Sequence, residues 1–206
     1  MAYEYVEKQE REDLVKVCES IICEVQNEVR EYFTFEFKLI GSGEKRLITR
    51  NGKTGCFDLD YNLILQKDKK ELISYPQKIK EIFMQAFNGV NPKNSFADAK
   101  NSTSVITSNL KIDDRLLFSF DVAILIEGNN GSYYKLIYDK PSQRYIWNEQ
   151  PHSANYKEKF SQIKKQGYWM EFKERYLEKK NYYLSRDPEK KSYVIFLETI
   201  NEFYKG

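Results

Sequence analysis

The chain has 206 residues, with 33 Lys and Arg against 31 Asp and Glu, three cysteines and a single histidine. That length suits one ordinary domain with a real core, or one domain plus a small appendage, and is too short for two full domains. A net charge of +2 does not announce a nucleic-acid binder or a membrane-surface protein, so partners must be read from local sites.

Cys18, Cys23 and Cys56 are odd in number and lack paired spacing, and His152 alone cannot complete a zinc site of the Cys/His kind. Reduced thiols in a cytoplasmic protein are the expectation. The opening MAYEYVEKQEREDLV has no apolar core of a signal peptide, and no run approaches the ~20 apolar residues of a membrane span. A soluble, intracellular protein with no membrane partner follows.

In chain order, Leu14, Val17, Cys18, Ile21, Ile22, Val25, Val29 and Tyr32 form an amphipathic stripe, which predicts a long helix from about Tyr5 to Tyr32. Phe33 to Ile40 alternates apolar and polar residues and reads as a strand ending in the corner Gly41-Ser42-Gly43. Cys56 to Leu65 is a second strand. Ser74-Tyr75-Pro76-Gln77 resembles a capping box with an early proline and opens a helix that closes near Asn88-Gly89. Asn91 to Asn101 reads as loop, and Ser104 to Leu110 and Leu116 to Glu127 as strands. Gly128-Asn129-Asn130-Gly131 is turn chemistry joining the latter to Tyr133–Tyr138 in a hairpin. Helical patterns return over Tyr156 to Tyr183 and Lys190 to Tyr204, with Asp187-Pro188 as the break.

Three catalytic or binding motifs almost fit. Gly52-Lys53-Thr54 has the ending of a phosphate-binding P-loop, but Leu47 stands where its first glycine belongs, and a strand follows instead of a helix. Asp58-Leu59-Asp60-Tyr61-Asn62 begins like a calcium-binding loop, yet Leu63 and Lys69 occupy the positions of its glycine and its glutamate. Cys56 as a nucleophile lacks a partner, because His152 is far away in a polar loop.

The aspartates need another account. In a strand, Asp58, Asp60 and Asn62 share one face while Phe57, Leu59, Tyr61, Leu63 and Leu65 share the other, which belongs to the core. Two readings are open: residues of a half-wet sheet facing solvent, or ligands of hard divalent cations, whose charge relieves the repulsion of adjacent carboxylates. Asp121, alone in the apolar run Leu116 to Ile126, has no structural use there and is a natural third ligand. If a helical turn follows Ile40, the N–H groups and hydroxyl of Gly41 and Ser42 would suit the terminal phosphates of a nucleotide.

A Gly-Ser corner after one strand, Asp-x-Asp on the next and a lone Asp on a later one resemble the DNA polymerase β-like nucleotidyltransferase superfamily. Within it, Phe57–Leu65 and Phe118–Glu127 look most like the oligoadenylate synthetase and cyclic GMP-AMP synthase branch and its bacterial relatives, where a hydrophobic residue precedes each acid. The resemblance covers about Phe35 to Tyr138. It implies an α+β nucleotidyltransferase fold, a mixed sheet flanked by helices, with a catalytic core over residues 1–150 and a C-terminal helical segment over 151–206 packed on it. It implies an enzyme that moves a nucleoside monophosphate from a nucleoside triphosphate such as ATP to a hydroxyl and releases pyrophosphate. Two magnesium ions, replaceable by manganese, would be held by Asp58, Asp60 and Asp121. Gly41 and Ser42 would hold the triphosphate, and Asp121 would also help to deprotonate the acceptor.

The interval between Ser42 and Asp58 departs from the family in being longer and more basic, with Lys45, Arg46, Arg50 and Lys53 within it. The short C-terminal segment argues against a cyclic-dinucleotide synthase. That segment is also the basic one: residues 131–206 carry 15 Lys and Arg against 10 Asp and Glu. Its interleaved aromatics, such as Tyr168-Trp169 and Tyr182-Tyr183, suit an RNA acceptor, whereas the spacing of Phe160, Ile163, Gly167, Trp169, Phe172, Tyr176 and Leu177 suits a core-facing stripe. The acceptor is left open among small molecule, RNA, nucleotide and protein. The second reading is a non-catalytic member of the same fold that binds nucleotide or a partner, as in a toxin or defence pair.

Overall fold

A computed structural model describes residues 2–112, 115–151 and 156–204. The elements in chain order are β1 (Tyr3–Tyr5), α1 (Lys8–Val29), β2 (Phe33–Ile40), α2 (Gly41–Lys45), β3 (Thr49–Asn51), β4 (Phe57–Asp68), α3 (Pro76–Val90), β5 (Lys100–Asn101), β6 (Ile106–Ile112), β7 (Arg115–Glu127), β8 (Tyr133–Asp139), β9 (Arg144–Glu149), α4 (Tyr156–Lys165), α5 (Trp169–Leu184) and α6 (Ser192–Phe203). They fall into two compact units, one over Val6–Ile48 and Thr54–Gln150, the other over Met1–Tyr5, Thr49–Lys53 and Pro151–Gly206.

The larger unit is built on a seven-stranded mixed sheet in which β2, β4, β7, β6 and β5 are successive neighbours, and β8 joins β7 to β9. β4 and β7 run parallel, and the other pairings are antiparallel. The alternation in β4 puts Phe57, Leu59, Tyr61 and Leu63 into the core. There they join Phe118, Phe120, Val122 and Ile124 of β7, Ile21, Ile22 and Val25 of α1, and Phe83 and Phe87 of α3. Phe120 is fully buried, with ring centroids of Phe96, Phe87 and Tyr61 at 5.5, 6.3 and 6.4 Å. Phe33 stacks on Phe83 at 5.9 Å. One sheet face is thus committed to the two helices by its apolar residues. The expected α+β architecture, a mixed sheet flanked by helices, is the one observed.

The smaller unit joins the β1–β3 ribbon to α4, α5 and α6. Phe160 packs on Phe172 and Phe196 at 5.4 and 5.2 Å, so much of the aromatic spacing in this segment serves its core. Tyr168 and Tyr182 remain exposed. The ribbon is fastened to α5 by polar groups: Asn181 Oδ1 accepts from Tyr3 N at 2.6 Å, its Nδ2 donates to Tyr3 O at 3.0 Å, and Lys180 Nζ donates to Thr49 Oγ1 at 2.6 Å.

Several expected boundaries move. The first helix starts at Lys8, because Tyr3–Tyr5 is extended and pairs antiparallel with Thr49–Asn51. α3 has Pro76 in its first turn as expected, but its N-cap is Tyr75, no side chain caps it, and Gly89 lies inside the helix. The expected helix from Tyr156 to Tyr183 is two helices. Gly167, at φ +85°, ends the first, with Tyr168 N bonded to Ile163 O at 3.1 Å and Gly167 N to Lys164 O at 3.2 Å, the Schellman pattern that a left-handed glycine allows. The short strand β5 falls within the expected loop Asn91 to Asn101, β9 lies where the sequence predicts no element, and His152 lies outside the described residues.

Phe120→Ala is expected to destabilise the protein by about 3–5 kcal/mol in urea unfolding, because it removes a fully buried ring that touches three others. A loss below about 1 kcal/mol would contradict this packing.

Candidate active site

The face of the sheet opposite α1 and α3 gathers the acids. Asp60 stands opposite Ile40 of β2 on one side and opposite Asp121 of β7 on the other; Asp58 stands opposite Ser119. Since residues two apart share a face and paired residues share it across strands, Asp58, Asp60 and Asp121 all project to the same side. Asp58 is exposed, while Asp60 and Asp121 are half-buried.

Gly41, half-buried, begins α2 immediately after β2 with φ +65°, and a Cβ there would lie 2.7 Å from Asp60 Oδ2. Both the backbone angle and the contact favour glycine at this position. Ser42 is the next residue of the same turn, half-buried, and its carbonyl accepts from Leu47 N at 2.9 Å. All five residues expected at the site therefore belong to one region of the larger unit.

Three further residues bear on the acids, Thr107, Lys45 and Lys135, and Lys80 bears on the last of them. Thr107 of β6 stands opposite Asp121 and its Oγ1 donates to Asp121 Oδ1 at 2.5 Å, fixing that carboxylate. Lys45, read as a residue of a basic loop, ends α2 and donates to Gly41 O at 3.0 Å. Lys80 of α3 is buried and donates to Val105 O at 2.8 Å. Lys135 of β8 stands opposite Leu125. Arg50, expected in the same basic loop, instead lies in β3 with Glu4 at 3.6 Å.

Burial, then the charges of Asp58 and Asp121, push the Asp60 carboxyl up to about 6, against the pull of Lys135 and Lys45. Lys80 is pushed down to about 8 by burial and by Lys135. Burial also lowers Lys135, while Asp60 and Asp121 act to raise it. Cys56 is raised, by burial first and then by Asp58, so its thiol is not an activated nucleophile.

The donor set fits a hard divalent cation: carboxylate oxygens only, crowded enough that one of them resists ionisation. Among the described residues no group of three or more His, Cys, Asp or Glu is drawn close enough to enclose an ion. The close pairing is Asp60 with Asp121, and Asp58 is one pleat along. Such an arrangement suits a hard cation that takes one or two protein carboxylates and completes its shell with water and phosphate oxygens. No helix among the described residues is long and apolar enough to cross a membrane.

No protein-family model matches the chain, and no curated protein does. Solved structures do. The STING-associated CdnE c-di-GMP synthase of Capnocytophaga granulosa superposes with a TM-score of 0.66 and 14% identity, over 96% of this chain and 61% of that one. DncV of Vibrio cholerae, in its 3'-deoxy ATP bound form, gives 0.59 and 10%, over 98% and 54%. The Rhodothermus marinus CdnE c-UMP-AMP synthase with Apcpp and Upnpp gives 0.51 and 13%, over 90% and 70%. Identities this low carry the fold: the chain has the nucleotidyltransferase fold of these synthases, and it spans less than two thirds of the length of the first two.

Gly41→Ala is expected to cost about 1–3 kcal/mol in urea unfolding, through backbone strain and pressure on Asp60. Asp60→Asn is expected to raise the melting temperature in metal-free buffer at pH 7, because it removes a charge that burial and two carboxylates oppose. A lowered melting temperature would show that the neighbouring lysines outweigh that opposition.

Proposed function

We propose that this chain, built on the nucleotidyltransferase fold, is a divalent-metal-dependent enzyme that transfers a nucleoside monophosphate from a nucleoside triphosphate to a hydroxyl group. The acceptor oxygen forms a bond to the α-phosphorus, the bond from that phosphorus to the α,β-bridging oxygen breaks, and pyrophosphate leaves. The observation that carries the reading is the register of Asp60 opposite Asp121, with Gly41 packed against Asp60 Oδ2. Solved neighbours bound to GTP or to 3'-deoxy ATP support a triphosphate as substrate.

Asp58, Asp60 and Asp121 are the residues that would hold the metal. When bound, two divalent ions supply charge neutralisation at the attacking and leaving oxygens of an in-line displacement. The protein's own part is positioning and electrostatics. Gly41 and Ser42 form the corner that receives the terminal phosphates. Thr107 holds the Asp121 carboxylate through Oδ1, which keeps that side chain in place to take the acceptor's proton. Asp60, whose charge is opposed by burial and by Asp58 and Asp121, gains from cation binding.

Asp58→Asn and Asp121→Asn are each expected to abolish pyrophosphate release while leaving the melting temperature at or above that of the wild type. Full activity in either variant would refute the mechanism. Thermal shifts with each of the four triphosphates, with and without magnesium, identify the preferred base. Mass spectrometry of cell extract incubated with labelled triphosphate identifies the acceptor. Metal-dependent stabilisation without turnover on any acceptor would favour a nucleotide-binding protein of the same fold.

A further inference from the structure

Two lysines, Lys45 and Lys135, bear on the acidic cleft, Lys80 bears on Lys135, and the three are held differently. Lys45 Nζ donates to Gly41 O at 3.0 Å and lies 3.5 Å from Glu44. Lys80 Nζ donates to Val105 O at 2.8 Å. The charged groups that bear on Lys135 in the opposite sense to its burial are Asp60 and Asp121 themselves.

The sheet explains why. Lys135 pairs with Leu125 across the β7–β8 hairpin, and Leu125 lies four residues beyond Asp121 with β7 in unbroken register against β4 between them. Even spacing keeps Asp121, Leu125 and Lys135 on one face. Four residues of strand are about 13 Å, and an extended lysine stem can span about half of that distance. Beneath it Ile64, Ala123 and Leu125 form a small buried apolar patch with Val105 and Tyr133 at its edge. Lys135 is paired with Leu125 of this patch, and the charges of Asp60 and Asp121 act on its ammonium. Lys135 is accordingly half-buried.

We propose that Lys135 is a positioning residue, the protein's own counter-charge to Asp60 and Asp121, which holds the two carboxylates together before cations arrive and moderates how strongly the cleft takes those cations up. The second half rests on the reading of Asp60 and Asp121 as metal-holding groups; the first half does not. A fixed positive charge near two acids lowers their mutual repulsion and opposes the entry of a second cation. Lys135 would then tune the cleft toward ions that arrive with a triphosphate, whose own charge offsets the lysine.

The test compares wild type with Lys135→Met, which keeps most of the stem and loses the charge, and Lys135→Arg, which keeps the charge. In a magnesium titration without nucleotide, followed by thermal shift, Lys135→Met is expected to lower the half-saturating concentration by about fivefold or more, with Lys135→Arg near wild type. In metal-free buffer, the change in melting temperature caused by Lys135→Met is expected to be several degrees less favourable in the wild-type background than in an Asp60→Asn background, because only the former loses the attraction between the two charges. Equal changes in both backgrounds, with an unchanged magnesium response, would reduce Lys135 to a packing role and overturn the proposal. If the wild type takes up no divalent cation, the metal reading falls, and the metal-free comparison still decides whether Lys135 is the counter-charge.

Discussion

The parallel pairing of β4 with β7 is the constraint on which this molecule turns. It sets Asp60 directly against Asp121 in neighbouring strands, a placement that costs free energy unless positive charge is near. Both strands are bound by their other faces: Leu59, Tyr61, Leu63, Phe118, Phe120 and Val122 are anchored in the core under α1 and α3. A slip of one residue in either strand would exchange acids for aromatics. The hydrophobic core therefore enforces the electrostatic conflict, and the residues around it accommodate that conflict. Gly41 leaves room for the Asp60 carboxylate, Thr107 bonds that of Asp121, and the lysines supply charge.

The parts of this arrangement that depend on one segment at a time were legible from the residues. Alternation in Phe33–Ile40 and from Phe57 onward marks strands and tells which side chains face inward. An aspartate between Phe120 and Val122 stands out because nothing apolar needs it. Thr107 and Lys135 were not legible, because each matters only through its opposite number in another strand, and pairing register is not carried by either strand alone. The turn Gly128–Asn130 hints at Lys135: counting outward from Glu127 opposite Tyr133 leads to Leu125 opposite Lys135. β9 escaped notice because Arg144–Glu149 has little buried surface, and it is held by β8 and by the bond from Trp147 Nε1 to Ile73 O at 2.8 Å. Tyr3–Tyr5 is not legible as a strand, and the expected helix took in Tyr5, because its partner strand lies more than forty residues away.

The C-terminal segment shows the same limit from another side. Its aromatics and lysines were open to two uses, and packing assigns Phe160, Phe172 and Tyr176 to the interior of the smaller unit. Tyr168 and Tyr182 stay on the surface. The fold shared with the bacterial synthases is carried at 10–14% identity. At that distance a fold is carried by core packing more than by any particular side chain.

The central claim is that the three carboxylates form one cation-binding cleft that is completed by a nucleotide. Counting bound manganese by electron paramagnetic resonance, with a non-hydrolysable triphosphate present, tests it most directly. Two ions per chain are expected for the wild type, and none at this cleft when Asp60 and Asp121 are both changed to asparagine. An equal count in that double variant, or no bound ion in the wild type, would contradict the account.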